Sequence, residues 1–252
     1  MPDSFSLTFP GKKISIIIPT LNEEKLLKRL LDQFSESLKI KYNLEIIVSD
    51  GGSSDKTVEI AGEIADKVIL HKNKFQQNIS QGRNIGAKES LGDVLIFLNA
   101  DTFVRNIDYL LENSLSEIFN NNVSAIACPI FVFPEEEKLS DKIFHYCYNN
   151  YAAMLNKFFM GMGRGECHII RRENFFEVQG YNEKLAAGED YDLYVRLKKK
   201  GKLKFRRDFI VYESPRRYRK FGYMKVLWDW AKNSVSVTLR NKSISKEWEA
   251  VR

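Results

Sequence analysis

Acidic and polar residues that could bind a nucleotide follow three short apolar runs of the sequence. Residues 19–24 (PTLNEE) follow the run 14–18, residues 49–55 (SDGGSSD) follow the run 44–48, and residues 99–102 (NADT) follow the run 94–98. Backbone amides and an acidic side chain can contact a base and a ribose, and a carboxylate near phosphates can hold a hard divalent ion through oxygen. The three clusters are therefore candidates for one nucleotide site.

The elements that must position these clusters can be predicted from hydrophobic spacing. Short, mostly β-branched or aliphatic runs predict buried strands at 14–18, 44–48, 68–70 and 94–98. Helical spacing predicts helices at 26–38, with Asn22 as N-cap, and at 56–65 and 80–90. This alternation predicts an α/β fold with a mostly parallel sheet flanked by helices, whose strand carboxyl ends form the ligand edge.

The second half of the chain is less regular. Helical spacing is present at 107–119, in an aromatic-rich stretch at 139–159, at 188–200 and in an amphipathic C-terminal stretch at 223–239. Strand-like runs lie at 123–133, broken at Pro129, at 167–170, and around Lys204 and Ile210. We find no internal repeat and no linker, which indicates one domain over residues 1–252.

Several of these segments resemble a known enzyme family. The motifs are 17–24 (IIPTLNEE), 48–57 (VSDGGSSDKT), 82–87 (GRNIGA), 97–101 (FLNAD), 164–175 (RGECHIIRRENF), 180–183 (GYNE) and 188–193 (GEDYDL). Together they resemble the family 2 glycosyltransferases over residues 14–213. The resemblance implies a GT-A-type, Rossmann-like fold and inverting transfer from a nucleotide-diphospho-sugar, UDP- or GDP-linked. It divides the chain into a donor half (14–102), an acceptor half (103–213) and a basic loop with a C-terminal helix (214–252).

The resemblance also implies roles for matching donor-side residues. Asp101 matches the metal-binding aspartate of the family's DxD-type motif, which holds Mg²⁺ or Mn²⁺, and Asn99 stands where the first aspartate often lies. That replacement removes one negative charge from the expected metal site. Arg83 is expected near the base or the diphosphate. The remaining donor-binding candidates are Pro19, Thr20, Glu23, Asp50, Gly52 and Ala100.

The acceptor half carries the candidate catalytic residues, Asp190 and its neighbour Glu189. The resemblance makes Asp190 the general base, and a carboxylate within reach of an acceptor hydroxyl can take its proton. The alternative is that both are first-turn carboxylates favoured by the helix dipole. Asp50 and Asp55 have a similar alternative as turn and cap residues. His168 precedes two isoleucines, which favours packing on a strand over metal binding.

The positive charge of the chain is concentrated in one segment. Residues 198–225 contain 12 basic and two acidic residues, whereas the rest of the chain contains 27 basic and 31 acidic residues. Arg216 and Arg217 lie in this segment, and Arg forks suit diphosphate oxygens. We therefore expect both to bind the donor. For residues 198–204 a solvated basic face is the alternative.

Aromatic residues follow this basic segment. Phe221, Tyr223, Met224, Leu227, Trp228 and Trp230 share a predicted helix with Lys225 and Lys232. Such a pattern predicts either a peripheral membrane contact, with a glycan or a lipid-linked acceptor, or packing against the core or a second subunit. We expect no nucleic-acid partner, because no nucleic-acid-binding module frames the basic patch.

Composition restricts the remaining possibilities. The 252 residues are 44% hydrophobic and 29% charged with a net charge of +6, which excludes wholesale disorder. No apolar run suffices to span a bilayer, no signal peptide precedes the first strand, and the three cysteines lack CxxC spacing. We expect a cytoplasmic location, peripheral at the membrane if the aromatic helix contacts it. The alternatives to a glycosyltransferase are a nucleotidyltransferase on a related fold and a non-catalytic sugar-nucleotide or membrane-surface binding module.

Overall fold

The computed structural model describes residues 9–71, 77–158, 160–240, 242–245 and 251. Its ten strands are β1 (Ile14–Thr20), β2 (Leu44–Asp50), β3 (Lys67–Leu70), β4 (Val94–Leu98), β5 (Thr102–Val104), β6 (Val123–Ala127), β7 (Ile130–Val132), β8 (Cys167–Arg171), β9 (Lys202–Phe205) and β10 (Val211–Glu213). The helices within these described residues are α1 (Leu27–Leu31), α2 (Glu36–Tyr42), α3 (Thr57–Ile64), α4 (Ile79–Lys88), α5 (Ile107–Phe119), α6 (Leu139–Phe158), α7 (Arg172–Glu177), α8 (Glu189–Lys198), α9 (Arg216–Phe221) and α10 (Tyr223–Arg240).

Seven strands form the main sheet, in the order β3-β2-β1-β4-β8-β6-β9. The pairings β3–β2, β2–β1, β1–β4 and β6–β9 are parallel, and only β8 runs antiparallel to its neighbours. The predicted mostly parallel sheet is thus confirmed. The chain leaves β1 towards β2 on one side and later returns to β4 on the other, and such a switch in strand order opens a crevice at the strand carboxyl ends.

A second, three-stranded sheet, β5-β10-β7, extends this edge. Glu213 of β10 pairs with Thr102 of β5, directly after Asp101. The sequence predicted one interrupted strand over 123–133, but Pro129 separates two strands, of which β6 joins the main sheet and β7 joins the small one. This small sheet brings β10, from the middle of the basic segment, to the ligand edge.

Apolar side chains fill both faces of the main sheet. Ile14, Ile16 and Ile18 of β1 point into one cluster, whereas Ile17 belongs to the cluster on the opposite face. Every strand residue of β4 is buried. Burial on both faces explains why these strands are read as continuous apolar runs in the sequence.

The prediction of one continuous helix at 26–38 was wrong. The chain forms two short helices, because Ser35 caps a new helix by accepting a hydrogen bond from the amide of Leu38. Asn22 is not an N-cap: it has a φ of 54°, and its side-chain oxygen accepts a hydrogen bond from the amide of Ser54. Asn22 therefore ties the first ligand cluster to the second.

Other predicted elements agree closely with the structure. Helix α5 has the predicted bounds, and the C-terminal helix α10 begins where expected. The basic loop expected after residue 213 instead begins with the short helix α9. Phe159, at the end of the predicted aromatic helix, lies outside the described residues. In the described part of the chain, no helix combines the length and the apolar character needed to cross a bilayer.

Candidate active site

A cavity of about 550 Å³ lies at the carboxyl edge of the main sheet. All of the predicted site residues except Asp50 and Gly52 line it: Pro19, Thr20, Glu23, Arg83, Asn99, Ala100, Asp101, Glu189, Asp190, Arg216 and Arg217. The edge prediction succeeds because β1 and β4 are adjacent parallel strands, so their carboxyl ends meet at one place. The candidate donor and acceptor residues therefore share one cavity.

Asp50 does not line this cavity but contacts Thr20, which does. Its side chain is buried, and its carboxylate accepts hydrogen bonds from the hydroxyl of Thr20 at 3.0 Å and from the amides of Gly52 and Ser53 at 2.9 and 2.8 Å. Gly52 has a φ of 100°, which suits glycine. These contacts favour the turn-forming alternative for Asp50, and its contact with a nucleoside stays a prediction.

The guanidinium of Arg216 bridges two acidic residues from different strand ends. One nitrogen, Nη2, donates to Glu23 Oε1 and Oε2 at 2.7 and 2.9 Å and to Asp101 Oδ2 at 2.9 Å. Burial raises the pKa of Asp101, while the charge of Arg216 opposes that rise. The short helix α9 thus places a cation at the point where the first and third acidic clusters meet.

Arg83 connects three parts of the cavity wall. Its buried guanidinium donates to Glu189 Oε1 at 3.0 Å, to Asn99 Oδ1 at 2.9 Å and to the carbonyl oxygen of Gly165 at 2.6 Å. These three partners come from α8, from the end of β4 and from the loop before β8. The contacts make Arg83 a positioning residue for both halves, and a direct donor contact remains a prediction.

Asp190 lies in the first turn of α8, which begins after Gly188 at a φ of 81°. Its Oδ2 accepts a hydrogen bond from the amide of Gly165 at 3.1 Å, and its Oδ1 accepts one from the amide of Tyr191 at 2.7 Å. Burial and the adjacent Glu189 raise the pKa of Asp190 to about 7. A carboxylate with such a pKa is suited to accept a proton near neutral pH.

Sequence reasoning missed a buried charge network in the cavity floor. Arg164 Nη2 donates to Glu213 Oε1 at 2.6 Å, to Glu166 Oε1 at 3.3 Å and to the hydroxyl oxygen of Tyr218 at 3.1 Å. Burial and the charge of Glu166 raise the pKa of Glu213 well above its usual range. The Arg-Gly-Glu triplet at 164–166, directly before a buried strand, was the available signal.

The antiparallel strand β8 explains why this network reaches the site. Because β8 runs against β4, Cys167 pairs with Leu98, so residue 166 lies beside the end of β4. The amide of Asn99 accordingly donates to the carbonyl oxygen of Glu166 at 3.2 Å. The charge of Glu166 raises the pKa values of both Asp101 and Asp190. Glu166 therefore couples the two acidic groups electrostatically.

The glycine-rich loop between α6 and β8 forms a closely packed wall of the cavity. A Cβ atom added at Gly163 would lie 2.3 Å from the ring of Tyr194, and one added at Gly161 would lie 2.1 Å from its carbonyl oxygen. Gly163 and Gly165 line the cavity. Glycine is required here because the backbone approaches the buried Tyr194 directly.

The donor set for a divalent ion is small. Among the described residues, no group of three or more His, Cys, Asp or Glu side chains is arranged to hold a metal. Asn99 contributes an amide oxygen at the position where the family resemblance leads one to expect a carboxylate. This oxygen already accepts a hydrogen bond from Arg83. Asp101 remains the candidate ligand, and magnesium often binds through one or two carboxylates together with substrate phosphates. Asp101 and a donor diphosphate are therefore compatible with such a site.

His168 is buried and its ring nitrogen Nδ1 lies 2.6 Å from the hydroxyl of Tyr181. Burial and the nearby Arg83 lower the pKa of this histidine well below its usual value. His168 thus packs within the sheet as predicted.

Much of the basic segment forms ion pairs with distant residues. Lys204 and Arg206 both contact Glu117, at 2.6 and 2.7 Å, and Arg219 contacts the buried Asp141. The alternative of a solvated basic face at 198–204 therefore does not hold for Lys204, which pairs with Glu117. Arg216 and Arg217 are the basic residues of the segment that line the cavity.

The aromatic pattern at 221–230 also divides between two faces. Phe221, Tyr223, Leu227 and Trp230 pack against the buried Phe144 and Tyr218. Met224 and Trp228 are exposed, at 79% and 65% of their maximal accessible surface. The core-packing alternative holds for most of this pattern.

Comparisons with known proteins identify the family of this chain. Over residues 15–178, the chain matches the model of "Glycosyl transferase family 2". An uncharacterized glycosyltransferase of Haemophilus influenzae is 36% identical over 112 residues, which is 40% of this chain and 44% of that protein. A GalNAc(5)-diNAcBac-PP-undecaprenol beta-1,3-glucosyltransferase of Campylobacter jejuni is 27% identical over 242 residues, covering 93% of this chain and 73% of that protein.

A solved structure has the same fold. A mannosyltransferase from Pyrobaculum calidifontis, in complex with GDP-Man and Mn²⁺, has a TM-score of 0.64 at 19% identity over 82% of this chain and 58% of that one. The fold is thus of the GT-A type, as expected from the motifs. The family model covers well over half of the sequence and includes the first two strand ends, Arg83, Asn99 and Asp101. The chain belongs to glycosyl transferase family 2.

Proposed function

We propose that this protein transfers a sugar from a nucleotide-diphospho-sugar, UDP- or GDP-linked, to an acceptor hydroxyl or lipid phosphate with inversion. The observation that carries the proposal is that Asp190, with its pKa near 7, and Asp101 line one cavity at the carboxyl edge of the sheet. A single displacement needs a proton acceptor on one side and charge stabilisation of the leaving diphosphate on the other. In our proposal, Asp190 meets the first requirement, and Asp101 with the nearby arginines meets the second.

In the proposed reaction, the acceptor oxygen forms a bond to the anomeric carbon as the bond from that carbon to the diphosphate oxygen breaks. Asp190 accepts the hydroxyl proton, and the nucleoside diphosphate leaves with the bonding electron pair. Arg216 and Arg217 line the donor side and can pair with diphosphate oxygens. Glu189 accepts a hydrogen bond from Arg83, which also donates to Asn99. Arg83 and Glu189 therefore fix α8 relative to the end of β4.

A divalent ion, Mg²⁺ or Mn²⁺, would add Lewis-acid stabilisation of the leaving diphosphate. Asp101 would hold it, with Asn99 close by. The Mn²⁺ in the Pyrobaculum mannosyltransferase complex supports this part of the proposal. The low number of carboxylates predicts weak binding of the metal alone and stronger binding together with the donor.

The acceptor in our proposal is lipid-linked. The Campylobacter relative, named for a diphosphoundecaprenol-linked acceptor, supports this choice, and it aligns with nearly the whole chain. We propose peripheral attachment at the cytoplasmic membrane face, where such acceptors are presented. A soluble glycan acceptor is the competing possibility.

A binding screen followed by a turnover assay tests the function. UDP-glucose, UDP-N-acetylglucosamine and GDP-mannose are compared by thermal shift with and without Mn²⁺. A ligand at 100 times its Kd stabilises by about 2.7 kcal/mol, or roughly 5–10 °C for a chain of this size. We expect one of them to raise Tm and to release its nucleoside diphosphate when a polyprenyl phosphate or diphosphate-linked sugar is added.

Three outcomes would contradict the proposal. Absence of binding by every sugar nucleotide would remove the donor site. Binding without transfer to any lipid-linked or soluble acceptor would indicate the non-catalytic binding module. Release of pyrophosphate from a nucleoside triphosphate and a sugar phosphate would indicate the nucleotidyltransferase.

A further inference from the structure

Helix α10 has a second apolar stripe, on the side that faces away from the molecule. Met224, Trp228, Ala231, Val235 and Leu239 are spaced by four, three, four and four residues, so they share one helix face. Their larger members are 79%, 65%, 59% and 76% exposed at Met224, Trp228, Val235 and Leu239. The opposite face, with Val226, Asn233 and Val237, is buried. The exposed stripe is therefore not needed for the core.

Helix α6 has large exposed apolar side chains as well. Leu139, Ile143, Tyr146 and Phe158 are 73%, 58%, 68% and 65% exposed, and Tyr151 and Met154 are about half exposed at 48% and 44%. Exposed apolar side chains grouped along one helix in this way often mark an interaction site.

The two helices are neighbours in the fold. Phe144 of α6 contacts the rings of Tyr223 and Trp230 at centroid distances of 4.6 and 6.3 Å, and Tyr148 contacts Trp230 at 5.2 Å. These aromatic contacts join the inner faces of α6 and α10. We call the outer faces, formed by the exposed residues named in the two preceding paragraphs, the α6/α10 surface.

The charges on the two helices favour an anionic partner. Lys142, Lys157, Lys225, Lys232 and Arg240 are the five cations, and the two carboxylates are Asp141 and Asp229. Asp141 is buried and paired with Arg219. Exposed lysines beside apolar residues can extend their ammonium groups to lipid headgroups while their alkyl stems lie on the apolar surface. In a symmetric contact between two copies, these cations would instead face like charges.

The α6/α10 surface is close to the mouth of the cavity. Tyr148 of α6 and Trp230, Asn233 and Ser234 of α10 line the cavity, although their helices expose the apolar stripes on other sides. Both helices of the α6/α10 surface therefore contribute to the wall of the cavity that contains Asp190. This placement suits an acceptor whose apolar tail stays in a lipid layer.

We propose that the α6/α10 surface is a monotopic contact with an anionic bilayer, which presents a lipid-linked acceptor to the cavity. The acceptor part of this inference rests on the transfer activity proposed above, and the bilayer contact does not. Apolar burial at the interface together with attraction between basic residues and anionic lipid is how such surfaces bind.

The bilayer contact is tested by co-sedimentation of the 252-residue chain with vesicles, without donor or acceptor. The vesicles are pure phosphatidylcholine or contain about one third phosphatidylglycerol. We expect binding to the anionic vesicles that weakens as salt increases. The pair Trp228→Ser with Leu239→Ser is expected to reduce the apparent partition coefficient by at least about tenfold, and the charge reversal Lys157→Glu to reduce it by at least about fivefold.

A matched control is Ile40→Ser, because Ile40 is 68% exposed on α2, far along the chain from either helix. This control should bind vesicles like the wild type. Donor binding by thermal shift should be unchanged in the Trp228 and Leu239 double variant, since neither residue lines the cavity.

Three results would overturn the inference. The first is absence of wild-type binding to anionic vesicles at low salt, and the second is equal loss of binding in the Ile40 control. The third is a dimer in sedimentation velocity that the double variant dissociates, which would assign the surface to self-association. Failure of the proposed function has a different signature, because vesicle binding would persist while no sugar nucleotide binds.

Discussion

Replacing Arg216 by glutamine tests the bridge between the acidic clusters. The guanidinium makes three hydrogen bonds to Glu23 and Asp101, at 2.7, 2.9 and 2.9 Å. The side chains of Arg216, Glu23 and Asp101 are only 22%, 8% and 19% exposed, so the charges are largely removed from water. Removal of one partner from a buried ion pair costs about 3–5 kcal/mol. Because this pair is partly exposed, we expect the lower value of about 2–3 kcal/mol.

For a chain of this length, 1 kcal/mol corresponds to about 2–4 °C in Tm. The Arg216→Gln variant should therefore unfold about 4–12 °C below the wild type at pH 7.5, measured by differential scanning calorimetry. The difference in Tm between the variant and the wild type should become smaller at low pH. Burial raises the pKa of Asp101 and Arg216 opposes the rise, so without Arg216 this carboxyl group becomes protonated at a higher pH. Protonation removes the repulsion between Glu23 and Asp101 that the variant leaves uncompensated.

Metal binding by the same variant can be measured through Tm, without an activity assay. With the guanidinium gone, Glu23 and Asp101 become a pair of uncompensated carboxylates, and Mn²⁺ alone should raise Tm more in the variant than in the wild type. Arg207→Gln is the control, because Arg207 is exposed in the same basic segment and its described hydrogen bond is to Asn150. The control should stay within about 0.5 kcal/mol of the wild type. An unchanged Tm in Arg216→Gln at pH 7.5 would refute the bridge.

Three other predictions concern the catalytic half and its walls. The rate kcat/KM should rise with pH through an apparent pKa of about 7, because Asp190 must be ionised to accept a proton, and a pH-independent rate between 5.5 and 8.5 would contradict this. Arg83→Gln should move this pKa upward in the pH–rate profile, since the charge of Arg83 lowers the pKa of Asp190, and an unmoved profile in a folded variant would exclude that coupling. Gly163→Ala should destabilise by about 1–3 kcal/mol in urea unfolding through its clash with Tyr194. In contrast, Gly62→Ala on α3, where no atom lies within 4 Å of the added Cβ, should be neutral or stabilising; equal effects of the two substitutions would argue against close packing of the loop.

The parallel part of the fold could be predicted from the sequence because burial on both faces produces continuous apolar runs. β4 lies at the predicted residues and α5 has the predicted ends. The break between α1 and α2 was not predictable from spacing alone, since the apolar period continues through Phe34 while Ser35 starts a new helix. The separation of β6 from β7 was also missed, because one Pro signals a break without showing that the next strand joins another sheet.

Site residues that directly follow a predicted strand were predicted, whereas residues whose position depends on a nonlocal strand pairing were missed. The clusters after β1 and β4 were expected at one edge, because adjacent parallel strands end together. Glu166 was missed, since its position depends on β8 entering the sheet antiparallel next to β4, a nonlocal pairing. The ion pairs of the basic segment were missed for a similar reason. Glu117 and Asp141, which neutralise part of the segment, lie far from it in the sequence.

The most direct test of the central claim is a comparison of Asp190→Asn with the wild type in donor binding and in sugar transfer. Asp192→Asn is the matched control, because Asp192 lies on the same helix but pairs with Arg196 at 2.6 Å and does not line the cavity. We predict that Asp190→Asn lowers kcat by about 10²–10⁴-fold while the donor Kd changes by less than about threefold, and that the control retains activity. Transfer at the wild-type rate in Asp190→Asn would contradict the assignment of the base.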